Sequence, residues 1–281
     1  IGQDDVAAAM MLSKEVDRLG METNEAGWVV GLAMECFEKG ILTGEEANHL
    51  DLSWGNAEGA RLLLNLIAKK QGIGELLSDG VMRASERMGG EARALAIHTL
   101  RGNTPRGHDH RNRWTELFDT CISNTGTLET WGGPIGLGLT PEWGDIVAAN
   151  IHDKGAMMLE DSLVTCRFNT RMNVDLLCQA VSAVTGWDFS WEEGMEVGRR
   201  IVHLLRAFNV RHGIVGREVD RPSLRYGSVP DSGPGEGKSL QDVWDEMLNA
   251  YYAGMGWDST GKPLPETLEK YDLGYVAKDL W

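Results

Sequence analysis

The strongest constraint on this chain is a succession of amphipathic segments, each closed by a glycine. Residues 3–19, QDDVAAAMMLSKEVDRL, repeat apolar side chains at the three- and four-residue spacing of one helix face, with acids in the first turn and Gly20 as a stop. Residues 24–40, NEAGWVVGLAMECFEKG, do the same and end at Gly40. Residues 56–72 give a third such helix, and 74–90 read as one or two short ones. The pattern returns over 141–151, 153–168, 173–184 and 190–208. After a Gly/Pro-rich stretch, VPDSGPGEGK, comes a last helix, SLQDVWDEMLNAYYAGMG. Strand-like character is confined to LAIHTL, and there is no tandem repeat. Helix stripes of this kind bury against other helices. The expected fold is therefore mostly α, with two helical lobes, 1–100 and 101–281, meeting at an irregular region from about 98 to 140. That region, rich in Gly, Pro, Asn and His, is too long to be a mere connection.

With 281 residues the chain can bury a core that needs no staples. A net charge of −15 argues against nucleic acid or an anionic membrane as a general partner, because both demand a cationic face. The four cysteines, Cys36, Cys121, Cys166 and Cys178, match no CxxC or zinc spacing, which fits a reducing, cytoplasmic setting. No run approaches the ~18 apolar residues of a membrane span, and no signal peptide is recognisable. The sequence opens on Ile1 and is helical almost at once, so it is expected to start inside a longer polypeptide.

Two short segments share an outline: DRLGME, Asp17 to Glu22, and DSLVTC, Asp161 to Cys166. Each sets a ligand-type residue five positions after an aspartate. Five helical steps turn about 140° around the axis, so the two ends cannot share a face of a regular helix. The backbone must bend between them, and Gly20 supplies the bend in the first copy. The plainer reading is a helix C-terminus followed by a buried cysteine.

The order of EVDRLGMETN, GLAMECFEKGILT, LSWGNAEG, KKQGIGELLSDGV, EDSLVTCRF, AVTGWDFSWEE, GRRIVHLLRAFNVRHG and DEMLNAYYAGMGWD resembles the C-terminal two thirds of the tungsten aldehyde ferredoxin oxidoreductase family. The resemblance implies the fold of that family's domains 2 and 3, a tungsten bis-molybdopterin cofactor (tungstopterin) and a [4Fe–4S] cluster. It implies that Asp17 and Asp161 each grip one pterin, whose ring N–H and exocyclic amine suit a carboxylate accepting bidentately. Leu19, Gly20, Met21 and Glu22 would line the first pterin; Ser162, Leu163, Val164 and Thr165 the second. Cys166 would be the fourth cluster ligand, as thiolate, with Arg167 hydrogen-bonding between cluster and pterin. The family's other three cluster cysteines, in a CxxCxxxC motif, and its N-terminal β domain have no counterpart in this sequence. A longer polypeptide or another chain is expected to supply both.

Residues 101–130, RGNTPRGHDHRNRWTELFDTCISNTGTLET, resemble the active-site subunit of tungsten-dependent benzoyl-CoA reductases more than the aldehyde enzymes. Aldehyde enzymes read Tyr-Asp-Pro-Arg where this chain has His108, Asp109, His110 and Arg111, and Cys-His where it has Leu128 and Glu129. By this resemblance the expected activity is reduction of the aromatic ring of benzoyl-CoA to a cyclic dienoyl-CoA. The expected partners are an iron–sulfur electron-transfer subunit or ferredoxin. Oxidation of an aldehyde to a carboxylic acid, and a cofactor-free helical scaffold, are the alternatives.

Within the loop, Arg101, Arg106, Arg111 and Arg113 stand against one acid, Asp109. Arg106 and Arg111 are candidates for the acyl-CoA thioester or phosphates, unless such arginines pair with acids and hold the loop shut. His108 and His110 are candidate proton donors, with loop-stabilising hydrogen bonds as the alternative. Glu129 is another, on condition that burial against apolar surface raises its pKa. Asn124 is a candidate orienting group, or a turn residue. Cys36 and Cys178 are expected to pack in the core.

Overall fold

The glycine stops and polar caps of the sequence become helix ends in the computed structural model, which describes residues 1–130, 138–170 and 173–281. The described residues form two compact units. One holds residues 1–108 with 222–226; the other holds 109–221 with 227–281.

In the first unit, α1 (Val6–Arg18) starts at Asp5, whose side chain accepts the Ala7 N–H. Then follow α2 (Thr23–Glu38), α3 (Ala57–Lys69), α4 (Ile73–Leu77), α5 (Val81–Met88) and α6 (Gly90–Leu95). Leu12 and Val16 of α1, Val29, Val30, Ala33, Met34 and Cys36 of α2, and Leu63 and Leu64 of α3 share one buried core. Cys36 is thus a core residue, as the helical spacing predicts. Gly59 allows α3 to start against the preceding loop, since a Cβ there would stand 2.1 Å from the Asp51 carbonyl oxygen. The LAIHTL segment forms no strand. Residues 222–226 return beside it, Ser223 N–H donating to the His98 carbonyl at 2.8 Å and Ser223 Oγ to that of Ala96 at 2.9 Å. The pairing stops at a single Thr99–Pro222 bridge, because Pro222 has no N–H with which to extend a ladder.

The second unit contains α7 (Trp114–Ile122), α8 (Trp143–Asp153), α9 (Ala156–Ser162), α10 (Arg167–Thr170), α11 (Val174–Thr185), α12 (Trp191–Arg211), α13 (Trp244–Met255), α14 (Pro265–Lys270) and α15 (Gly274–Ala277). Helix α12 begins in a capping box. Ser190 Oγ accepts the Glu193 N–H, and the Glu193 carboxylate accepts the Ser190 N–H. It packs tightly on the start of α9: a Cβ on Gly198 would sit 2.1 Å from the Gly155 carbonyl oxygen. Cys178 joins Ala156, Leu159, Val174 and Met195 in a small core, as expected.

Two expectations change here. The irregular region contains a regular helix, α7, all but one of whose residues are buried, and the single helix expected over 153–168 is broken into α9 and α10. Residues 131–137 of the glycine-rich stretch lie outside the described residues. No helix among the described residues is long and apolar enough to cross a membrane.

Candidate functional site

The DRLGME and DSLVTC segments fold into the same helix corner. In the first, α1 ends at Arg18 and Gly20 takes a left-handed φ of +70°. Its N–H donates to the Asp17 carbonyl at 3.0 Å, and the Met21 N–H reaches back to Val16 at 3.1 Å. In the second, α9 ends at Ser162 and Val164 takes φ +56°. Its N–H donates to the Asp161 carbonyl at 3.1 Å, and the Thr165 N–H reaches Glu160 at 3.2 Å. Both are Schellman turns in the same register. The bend demanded by the five-residue spacing is therefore present in both copies, and the residue at plus five opens the next helix. Glu22 caps α2, one carboxylate oxygen accepting the Asn24 N–H at 3.0 Å and the other the Glu25 N–H at 2.6 Å. Cys166 precedes α10, its carbonyl accepting the Asn169 N–H at 2.7 Å.

The two aspartates of these corners face solvent. Asp17 and Asp161 are exposed, and neither makes a side-chain hydrogen bond or ion pair among the described residues. Ser162 turns its hydroxyl inward to the Met158 carbonyl at 2.6 Å. Leu163 is partly exposed, Val164 is 95% exposed and the neighbouring Phe168 79%. Cys166 is an exposed free thiol, which removes the buried-cysteine reading. Beside it, Arg167 keeps Nε and Nη1 buried with no hydrogen-bond partner among the described residues, its guanidinium 5.1 Å from the Phe168 ring centre. Next to the first corner lies a pocket of about 210 Å³, lined by Met21, Glu22, Glu25, Ala26, Val29 and Gly80 among others. Leu19 is half-buried against the core and serves as the α1 cap. Glu22, by contrast with the ligand role expected of it, has both oxygens engaged in capping.

The loop residues divide into accessible and engaged. Arg111 pairs bidentately with Asp109, at 2.9 Å through both Nε and Nη2, and holds that carboxyl below the usual carboxylate range. Arg113 pairs with Glu116, and buried His110 places Nε2 3.2 Å from the same carboxylate. These contacts follow the loop-closing alternative for Arg111 and His110. Arg106 is half-buried, and His108 is exposed, its N–H donating to the Arg106 carbonyl at 2.7 Å.

Glu129 is fully buried, but the apolar setting required for a proton donor is not what surrounds it. Its oxygens accept the Asn124 N–H at 2.6 Å and the Thr125 N–H at 3.1 Å, and lie 3.2 Å from Lys154 Nζ. Lys154 also bonds Asp119 at 2.6 Å, and all three side chains are wholly buried. Burial pushes the Lys154 ammonium down, but Asp119, Tyr251 and Glu129 outweigh it and hold the group above the ordinary lysine range. With backbone donors and the Lys154 ammonium on its oxygens, Glu129 is an ion-pair partner in a buried network. Nothing in the sequence pattern announced this network, because its members come from three separate stretches. Asn124 is held by it, its carbonyl also accepting Asn209 Nδ2 at 2.8 Å.

Residues 1–273 match the family described as aldehyde ferredoxin oxidoreductase, domains 2 and 3, and the chain belongs to that family. It is 29% identical over 283 residues to the aliphatic sulfonate oxidoreductase WOR-like subunit of Pyrococcus furiosus, covering 96% of this chain and 43% of that protein. It is 28% identical over 285 residues to the tungsten-containing aldehyde ferredoxin oxidoreductase of the same organism, covering 97% and 46%. The fold is similar to a chain of the active site complex BamBC of benzoyl coenzyme A reductase in complex with 1,5-dienoyl-CoA. The TM-score is 0.71 at 18% identity, over 98% of this chain and 48% of that one. The chain thus spans about half the length of the relatives it matches.

The tungstopterin that the resemblance implies can be tested against these residues, and the two corners fit it. Each corner presents an exposed carboxylate with free acceptor capacity among the described residues, and the second adds an exposed thiol at Cys166, followed in the chain by Arg167 with two buried N–H groups that have no partner among the described residues. A donor-edged heterocycle requires such carboxylates, and the thiol is one ligand of the four that a thiolate-ligated iron cluster needs.

Proposed function

We propose that this protein is part of the catalytic chain of a tungsten bis-molybdopterin oxidoreductase, with Asp17 holding one pterin and Asp161 the other. The observation that carries the reading is the repetition: two corners with one hydrogen-bond register, one left-handed step, and at the same position in each an exposed aspartate unpaired among the described residues. A helix end has no structural need for that aspartate. Cys166 would ligate a [4Fe–4S] cluster, and the free N–H groups of Arg167 would donate to pterin or cluster sulfur. When bound, the tungsten centre supplies two-electron chemistry and the cluster passes electrons singly. The remaining cluster cysteines would come from the rest of a longer chain or from another subunit. An iron–sulfur subunit or ferredoxin, in the cytoplasm, would exchange electrons with it.

For the substrate we propose an aromatic acyl-CoA such as benzoyl-CoA, whose ring gains two electrons and two protons to become a cyclic diene. The support is the loop sequence, His108 to Arg111 and Leu128 to Glu129, which departs from the aldehyde pattern. Exposed His108 is assigned to proton delivery. Half-buried Arg106 and turn residue Asn124 are assigned to the thioester arm. Glu129 is reassigned from proton donor to a brace for that turn. Aldehyde oxidation is the second reading, favoured by the engaged state of Arg111 and Arg113, which leaves fewer cations for phosphates. The test is metal analysis and turnover of the full-length protein with its native partners. Tungsten, iron and reduction of benzoyl-CoA support the first reading. Turnover of simple aldehydes alone selects the second, and a metal-free assembly would leave only a helical scaffold.

A further inference from the structure

The charges beneath the 123–130 turn do more than fill space. Glu129 accepts the N–H groups of Asn124 and Thr125 and, at 3.3 Å, Asn124 Nδ2. Asp119 Oδ2 accepts the N–H of Glu129 at 3.1 Å, the N–H of Thr130 at 2.8 Å and the Thr130 hydroxyl at 2.7 Å. Every one of these bonds fixes a backbone or side-chain group of a single turn. Between the two carboxylates stands Lys154, at the end of α8, 2.6 Å from Asp119 and 3.2 Å from Glu129. The ring of Tyr251, on α13, lies 5.6 Å from its ammonium. Two buried carboxylates this close to one ammonium repel each other strongly if it is removed.

We propose that Lys154 is a positioning residue: by offsetting the repulsion between Asp119 and Glu129 it lets both clamp the 123–130 turn and so fixes Asn124 for its ligand. The functional half of this statement rests on the assignment of Asn124 above; the clamp does not. A pre-organised turn is what a binding residue on a loop needs, since geometry left to the loop alone is loose. The arrangement also explains a lysine with no exposure at all, which surface solubility or helix propensity cannot.

The experiment is amide hydrogen exchange on the full-length protein without substrate. Lys154→Met is expected to raise exchange over residues 119–130 at least tenfold, with α1 to α5 unchanged. The double variant Lys154→Met/Asp119→Asn restores the wild-type net charge of the cluster and is expected to recover at least a threefold part of the lost protection. A packing role predicts no recovery, because Asp119→Asn is isosteric and leaves the packing lost at Lys154 unrepaired. Exchange within twofold of wild type in the single variant, or a double variant no better than the single, overturns the proposal. Should Lys154→Met not fold, Glu129→Gln decides: tenfold faster exchange confined to the Asn124 and Thr125 amides supports the clamp, and unchanged exchange there overturns it. Because no turnover is measured, failure of the benzoyl-CoA reading leaves this outcome readable.

Discussion

Val164 and Gly20 occupy the same step of their corners, at φ +56° and +70°, yet one is β-branched and the other has no side chain. A left-handed φ costs an ordinary L-residue roughly 1–2 kcal/mol, and branching at Cβ makes it worse. Val164→Gly should therefore stabilise the protein by about 0.5–1 kcal/mol after the extra chain entropy of glycine is set against the relief. Gly20→Ala should destabilise by about 1 kcal/mol, from backbone strain alone, because a Cβ there meets nothing within 4 Å. Denaturant midpoints at unchanged slope measure both; two neutral variants would show that the corners relax freely. Cys166 gives a chemical prediction at the same scale. Its side chain is exposed, so Cys166→Ala should abolish cluster absorbance and lower iron content while helical circular dichroism stays intact. Normal iron in a protein that has lost its helices contradicts the ligand role. The shared corner of the Asp17 and Asp161 segments was legible, because a ligand-type residue five positions after an aspartate demands the bend that both segments make. The capping of α2 by Glu22 was not legible, because glutamate is not a favoured N-cap and its use as one carried little signal.

At the level of elements, glycine decided what could be read. Gly20 and Gly40 mark the ends of α1 and α2 within a residue or two. The end of α9 carries valine at the equivalent step, and without a stop signal α9 and α10 read as one helix. Helix α7 was hidden for a different reason: only nine residues long, it sits in a stretch dominated by Gly, Pro and Asn. Its burial comes from tertiary packing, Phe118 meeting Trp244 and Tyr251 edge-on at 5.5 and 5.6 Å, which no local pattern reports. The start of α12 is the converse case, a cap visible in the sequence as Ser190 and Glu193 ahead of an apolar stripe. Ser190→Ala should cost about 1 kcal/mol. The loss should show first as faster amide exchange in the opening turn of α12, and unchanged exchange there would mean the capping box contributes nothing in solution.

For the whole molecule, acid sensitivity follows from two buried histidines with lowered pKa values, His203 and His98. His203 is almost fully buried, and Trp257 Nε1–H donates to its Nδ1 at 3.0 Å, so the neutral ring is the bonded form. Burial first, then the cations Arg199 and Lys270, push it down to about 4. His98 of the other unit is also lowered, by burial, with its Nδ1 2.7 Å from the Thr99 carbonyl. A depressed folded pKa means that the unfolded chain binds more protons between that value and about 6.5, so stability falls as pH drops through this window. For His203 alone the loss approaches roughly 3 kcal/mol by pH 4. Net charge acts in the opposite direction. At −15 the folded chain repels itself, and approach to a pI near 4.9 relieves that repulsion. A wild-type pH profile mixes the two, whereas the difference between wild type and His203→Gln isolates the histidine, because glutamine keeps an acceptor for Trp257 and cannot titrate. The variant should lose less stability than wild type between pH 6.5 and 4, by up to about a hundredfold in the unfolding equilibrium. Parallel profiles over that interval would mean that protonated His203 finds a partner in the folded state, and the acid lability would have to be assigned to His98 instead.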